Sequence, residues 1–204
     1  MRFSTATSVI LSLSGLAMAQ LPAIDIIKQI APGSASCADS TDCRTSQQAA
    51  PYIAGSMFEY GIFSVNEMAA VISLMAFESG DFKYKHNVYP GRPGQGTANM
   101  QMSNYNLLYA KSIPAISGKV AKYSTTSGLS DADLNSILAL VTDDKYNFGS
   151  GAWFLTTQCP MSVRTSLQSN ADSGFQAYMQ CVGASVTPDR LEYFSRAKKA
   201  FGIN

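Results

Sequence analysis

The chain has 204 residues, with 15 Lys plus Arg against 14 Asp plus Glu and 46% hydrophobic residues. That length suits one domain with a sizeable core. A formal charge of only +1 argues against the basic footprint of a nucleic-acid binder and against steering to an anionic surface.

The first residues read as a leader. Arg2 gives a positive start, residues 9–16 a short apolar core, and Ala17-Met18-Ala19 a small-residue cleavage site, so residues 1–19 are expected to be a secretory signal peptide. Its removal takes away Arg2 and no acid, leaving 14 basic against 14 acidic residues. No later run reaches the ~18 apolar residues of a membrane span. Residues 20–204 are therefore expected to form one secreted, soluble, monomeric domain. Residues 24–30 are amphipathic, and the stretch 20–36 reads either as a propeptide or as a peripheral helix. Cys37, Cys43, Cys159 and Cys181 should pair in an oxidising compartment. Three connectivities are possible, and nearness in sequence favours Cys37 with Cys43 and Cys159 with Cys181. Neither pair has metal-ligand spacing, and with one histidine no metal site or cofactor is expected.

A helix is predicted over 46–60, ended by Gly61. The next helix, 65–79, is apolar on nearly every side, which predicts burial; Ser64 and Glu67 have capping-box spacing, and Gly80 fits a left-handed C-cap. Over 82–88, Phe82, Tyr84, His86 and Val88 alternate with Lys83, Lys85 and Asn87, a period-two pattern that predicts a strand. Pro90-Gly91 and Pro93-Gly94 mark turns, so a small hairpin or sheet is expected. Helices follow over 103–111, 114–123 and from Ser130 to about 141. Residues 146–151 read as a loop. Further helices are predicted over 152–158, 161–167, 172–182 and 188–200, the last framed by Thr187, Pro188 and Gly202. The fold class read from these elements is α+β, mostly α.

Glu78 stands at the mouth of the apolar helix. The negative end of the helix dipole and apolar neighbours both favour a neutral carboxylic acid there, the form that can protonate a leaving oxygen. The alternative is a cap or an ion pair with Lys83, Lys85 or Arg92. Three short stretches widen the reading: Glu78-Ser79; then Gly94, Gly96, Met100 and Gln101; then Tyr146-Asn147-Phe148-Gly149. Together, over roughly residues 64–155, they resemble the lysozyme superfamily, within it the goose-type lysozymes and lytic transglycosylases, and the chain is similar to small secreted fungal muramidases.

That resemblance implies a lysozyme-like fold with a buried central helix and a small β-hairpin. It implies a glycoside hydrolase acting on β-1,4 bonds of peptidoglycan, a secreted antimicrobial muramidase that degrades cell walls, with Glu78 as general acid. Asp81 is the candidate base, or else a turn residue bonding local amides. Gln101 and Asn99 are candidates for substrate binding, or for bracing the hairpin; Tyr146 and Asn147 line the cleft, or make a loop-to-helix corner. The polymer stays open between peptidoglycan and a chitin-type substrate, and the chemistry between hydrolysis and transglycosylation. A non-catalytic secreted glycan binder on the same scaffold is the rival.

Overall fold

The computed structural model describes the backbone of residues 13–38 and 41–204, and the side chains among them from residue 22 onward. Residues 1–12 of the expected leader lie outside these. The described residues form α1 (Leu13–Ile30), a 3-10 turn (Pro32–Ala35), α2 (Ser46–Glu59), α3 (Val65–Glu78), α4 (Ser103–Ser112) and α5 (Pro114–Val120). They continue with α6 (Asp131–Val141), α7 (Asp144–Thr157), α8 (Met161–Ser169), α9 (Ala171–Val182) and α10 (Pro188–Phe201).

Helix α3 is the axis of the molecule. Every residue from 69 to 76 is buried, and fully burying a side chain such as Ile72 or Leu74 contributes about 1.5–3 kcal/mol. Helix α10 packs along it more extensively than any other element: Tyr193 meets Phe77 edge-on with ring centroids 5.6 Å apart, and the Arg190 guanidinium lies 4.7 Å over the same ring. Helices α8 and α9 pack on each other, the Cys159–Cys181 disulfide ties the link between α7 and α8 to α9, and Cys37–Cys43 closes a small loop ahead of α2. Phe175 of α9 stacks on Phe194 of α10 at 4.0 Å. Helix α1 packs against α2, α3 and α10 and buries Ile27 and Ile30 in the common core.

The expected capping box at Ser64 does not form. Ser64 is the N-cap of α3, but its side chain makes no capping hydrogen bond. Glu67 is instead 1% exposed, accepting from Arg164 Nε at 2.6 Å and from Gln168 Nε2 at 3.0 Å. A capping box is present one helix earlier, between Thr45 and Gln48.

The expected β element, and with it the α+β lysozyme-like fold, is overturned. Among the described residues there is no strand, and the segment between α3 and α4 holds only two isolated bridges, His86 to Gly96 and Gly96 to Gln101. The chain leaves α3 through left-handed backbone at Gly80, Asp81 and Phe82 (φ 60, 61 and 65°), which breaks any extended run at its start. The predicted faces also fail: Lys85 is buried, with Nζ 2.6 Å from Asp144 Oδ1, while Tyr84, His86 and Val88 are exposed. Gly96 sits where a Cβ would collide with the Lys85 carbonyl and the Leu138 side chain, so two passes of this segment meet there backbone to backbone, against the Leu138 side chain of α6.

Candidate functional site

The last turn of α3 and the first turn of α10 meet at a charge pair. Glu78 Oε1 accepts from Arg190 Nη2 at 2.8 Å. Arg190 Nη1 donates to the Ser185 carbonyl at 3.3 Å. The pair borders a cleft of about 190 Å³ whose walls are Leu74, Met100, Tyr105, Phe154 and Val182, and whose polar lining includes Gln95, Asn99 and Gln101. Glu78, Gln95 and Met100 are shared with a shallower space of about 420 Å³ bordered by Tyr84, His86 and Tyr89.

A chain of side-chain amides runs behind the cleft. Asn106 Nδ2 donates to the Gly94 carbonyl at 2.8 Å and to the Gln101 carbonyl at 3.2 Å. Its Oδ1 accepts from Gln101 Nε2 at 2.9 Å, and Gln101 Oε1 accepts from Asn99 Nδ2 at 3.5 Å. Gln95 is held separately: its Nε2 donates to the Met100 carbonyl at 3.0 Å and its Oε1 accepts from Asn87 Nδ2 at 2.9 Å.

The structure thus brings Glu78, Asn99 and Gln101 to one cleft. It places the other sequence candidates elsewhere. Asp81 is buried, its Oδ2 accepts the Gly33 N–H at 2.8 Å, and it lines neither part of the cleft. Burial, then the nearby Asp81 carboxylate, raises the Tyr193 hydroxyl above its ordinary value. Tyr146 and Asn147 lie in the first turn of α7, not in a loop. Tyr146 lines a separate pocket of about 220 Å³ with Tyr109 and Glu59. Tyr109 donates to the Tyr146 carbonyl at 2.9 Å, and burial pushes the Tyr109 hydroxyl far above the usual phenol range. Asn147 is buried inside the fold. Arg190 was missed by the sequence reading: it lies 112 residues from Glu78, and no local pattern links the two.

A second concavity has a different character. A groove of about 370 Å³ runs between α1, α2, α3 and the end of α10, lined by residues such as Ile26, Ala54, Met57, Phe63, Ile72 and Phe201, with no polar or charged side chain among the described residues that line it. Phe58 and Phe63 flank it at 78% and 67% exposure. Its signal in the sequence is that aromatic pair on either side of Gly61, where a solvated helix end would carry polar residues. The groove touches α3 near Met68 and Ile72; Met68 is roughly 15 Å along the helix from Glu78 at 1.5 Å per residue.

No family model matches the chain, and no solved structure matches it. A curated protein of Fusarium oxysporum (strain Fo5176), named bifunctional dioxygenase (DOX)-epoxy alcohol synthase (EAS), is 59% identical over 157 residues. The match covers 76% of this chain but 12% of that protein, so the chain spans only a small part of the relative's length.

This match overturns the lysozyme resemblance and the function drawn from it. The similar protein is named for a dioxygenase and an epoxy alcohol synthase, not for a glycosidase. The expectations of a muramidase or other glycoside hydrolase, of peptidoglycan or a chitin-type polymer as substrate, and of cell-wall degradation are set aside with it. The site agrees with that correction in one respect. The general-acid argument needs an apolar niche around Glu78, and an Arg190 guanidinium occupies that niche at hydrogen-bonding distance.

Dioxygen chemistry generally relies on haem, flavin, copper or non-haem iron. Among the described residues no three His, Cys, Asp or Glu side chains converge on a point. His86 is half exposed, with Nδ1 2.6 Å from Asp42. Both described cysteine pairs are disulfides.

Proposed function

We propose that this chain is a binding module for an apolar, chain-like organic molecule, held in the groove between α1, α2, α3 and α10. The observation that carries the reading is the groove's lining, a space of about 370 Å³ whose described side chains offer only carbon and thioether surface. That volume falls within the range of small-molecule sites. The Fusarium relative's name supports the chemistry. An epoxy alcohol carries an epoxide and a hydroxyl, both neutral groups, on a carbon skeleton, and a groove whose described side chains are apolar suits the carbon part of such a molecule. In this reading the chain binds and excludes water, and its own residues perform no redox step. We also propose that it is exported, a reading supported by the leader pattern and the two disulfides.

The test is displacement of 8-anilinonaphthalene-1-sulfonate by oleyl alcohol, read by fluorescence. Wild type should release the dye as oleyl alcohol is added. Ala54→Glu puts a charge into the groove from an exposed position on α2, and should weaken oleyl alcohol binding at least tenfold while leaving the melting temperature within a few degrees. Equal binding by wild type and Ala54→Glu would remove the groove from consideration.

A further inference from the structure

The mouth of the apolar groove carries apolar side chains that face water. Phe58, in the last turn of α2, and Phe63, just past the turn at Gly61, are both exposed, edge-on with ring centroids 6.1 Å apart. Val65, at the start of α3, is exposed as well. Phenylalanine is among the residue types most often buried, and holding its ring in water is unfavourable. The turn that presents the pair keeps its backbone out of competition for water. The N–H groups of Tyr60, Gly61 and Ile62 donate to the carbonyls of Ser56, Phe58 and Met57 at 3.0, 3.1 and 2.8 Å. The Gly61 carbonyl accepts from Arg164 Nη2 at 2.8 Å. Backbone groups paired in this way can enter an apolar medium, whereas unpaired ones resist it.

Charge narrows what this face meets. No charged side chain is among the described residues that line the groove. At 3.6 residues per turn, Asp25 and Lys28 of α1 fall away from the side that holds Pro22, Ala23, Ile26 and Ile27. Glu59 borders the Tyr109 pocket instead. The face therefore offers nothing for an anionic headgroup or a charged partner to pair with, and it matches a surface of no net charge. Chain order points to lipid. The groove's wall begins at Pro22, three positions after the leader pattern closes at Ala19, and both belong to α1. A leader of that kind is delivered to a membrane. No described helix is long and apolar enough to cross one, so contact made by these residues is with the surface.

We infer that the face carrying Phe58, Phe63 and the groove's mouth docks on a zwitterionic phospholipid surface, from which the groove takes its apolar guest without passing it through water. The loading step rests on the reading of the groove as a binding site; the docking rests on the exposed rings and the uncharged face around them.

The experiment mixes the full chain with vesicles of dioleoylphosphatidylcholine. Wild type should sediment with them, and high salt should leave that partition unchanged, because no ion pair carries it. Phe58→Ser combined with Phe63→Ser should bind at least tenfold more weakly, since burying one phenylalanine is worth more than a factor of ten. Val88→Ser removes an exposed apolar side chain from the segment after α3, away from the groove, and should bind as wild type does. Phe58→Trp gives a direct signal. The chain's single native tryptophan, Trp153, is buried, so a blue shift on adding vesicles, and quenching by brominated acyl chains, report on position 58. This variant decides the matter even if the double serine variant proves unstable. An unshifted, unquenched Phe58→Trp, an equal loss in Val88→Ser, or a wild type that dimerises through this face and ignores vesicles would overturn the docking. Displacement of the dye by oleyl alcohol without vesicles judges the groove separately. Wild type that displaces the dye but ignores vesicles keeps the groove and loses the docking. Wild type that binds vesicles but never releases the dye keeps the docking and loses the guest.

Discussion

Asp144 joins three distant parts of the chain through one carboxylate. It opens α7, where the helix dipole favours an acid. Arg44 Nε, just after the Cys37–Cys43 loop, donates to its Oδ2 at 2.7 Å, and Lys85 Nζ, from the segment between α3 and α4, donates to its Oδ1 at 2.6 Å. Burial alone would raise this carboxyl, but the hydrogen bonds from Arg44 and Lys85 outweigh it and hold the group below its ordinary value. A carboxyl lowered on folding contributes stability that is present above the unfolded value, ordinarily about 3.9, and is lost as pH falls through the folded one. Acid should therefore loosen the contact of α7 with both segments. Denaturation midpoints from pH 7 to pH 2 should fall more steeply for wild type than for Asp144→Asn, whose midpoint should already be lower at pH 7. Parallel pH profiles for the two proteins would show that the triad adds nothing.

At the scale of elements, α3 is anchored at its start as firmly as at its end. Glu67 is almost wholly out of water, and its charge is met by Arg164 of α8, which also donates to the Gly61 carbonyl at 2.8 Å. Removing one partner of such a pair leaves a buried charge uncompensated and costs ~3–5 kcal/mol. Arg164→Ala should shift the urea midpoint by an amount of that order, and adding Glu67→Leu to it should recover a good part of the loss. A loss under about 1 kcal/mol in Arg164→Ala would mean that Gln168 suffices for Glu67. The pair also marks where sequence reading stops. Most helix positions were legible from apolar periodicity and caps, as at α2, α3 and α10. The long reach from Glu67 to Arg164, like that from Glu78 to Arg190 or from Lys85 to Asp144, leaves no local trace. Lys85 therefore read as the solvent face of a strand that does not form. Helix α7 was misread for a related reason. Gly149 and Gly151 resemble loop residues, yet a Cβ at Gly149 would lie 2.6 Å from the Tyr109 hydroxyl and one at Gly151 would lie 2.8 Å from the Met75 sulfur. The glycines allow α7 to approach α4 and α3 closely, and only the packed molecule reveals it. Within the site, Glu78 drew attention by its place on an apolar helix. The apolar groove did not, because most of its walls come from four helices and the aromatic pair Phe58 and Phe63 is its one local sign.

For the whole molecule, the two disulfides restrain different amounts of chain. Cys159–Cys181 closes a separation of 22 residues around α8 and most of α9, and Cys37–Cys43 closes one of only 6. If their stabilisation comes from restricting the unfolded chain, it grows with the logarithm of loop length, giving ~3 kcal/mol for the longer loop and ~2 kcal/mol for the shorter. Native contacts pull the other way. The short loop precedes Arg44 directly, and Arg44 reaches both Asp144 and the Thr41 carbonyl, the latter at 2.8 Å. Opening that loop should therefore also weaken a long-range ion pair, whereas α8 and α9 keep their extensive mutual packing without a bridge. Replacing each pair by serine separates the two contributions. Chain entropy alone makes loss of Cys159–Cys181 the more destabilising change at every pH. If the native contact dominates, loss of Cys37–Cys43 should cost as much or more at pH 7, and that excess should vanish on acidification with the charge on Asp144, or when Asp144→Asn is already present. Denaturant midpoints of the two paired variants, at pH 7 and pH 2 and in both backgrounds, decide between these outcomes. We expect the pH-dependent excess at Cys37–Cys43, and its absence would reduce the small loop to a purely entropic tether.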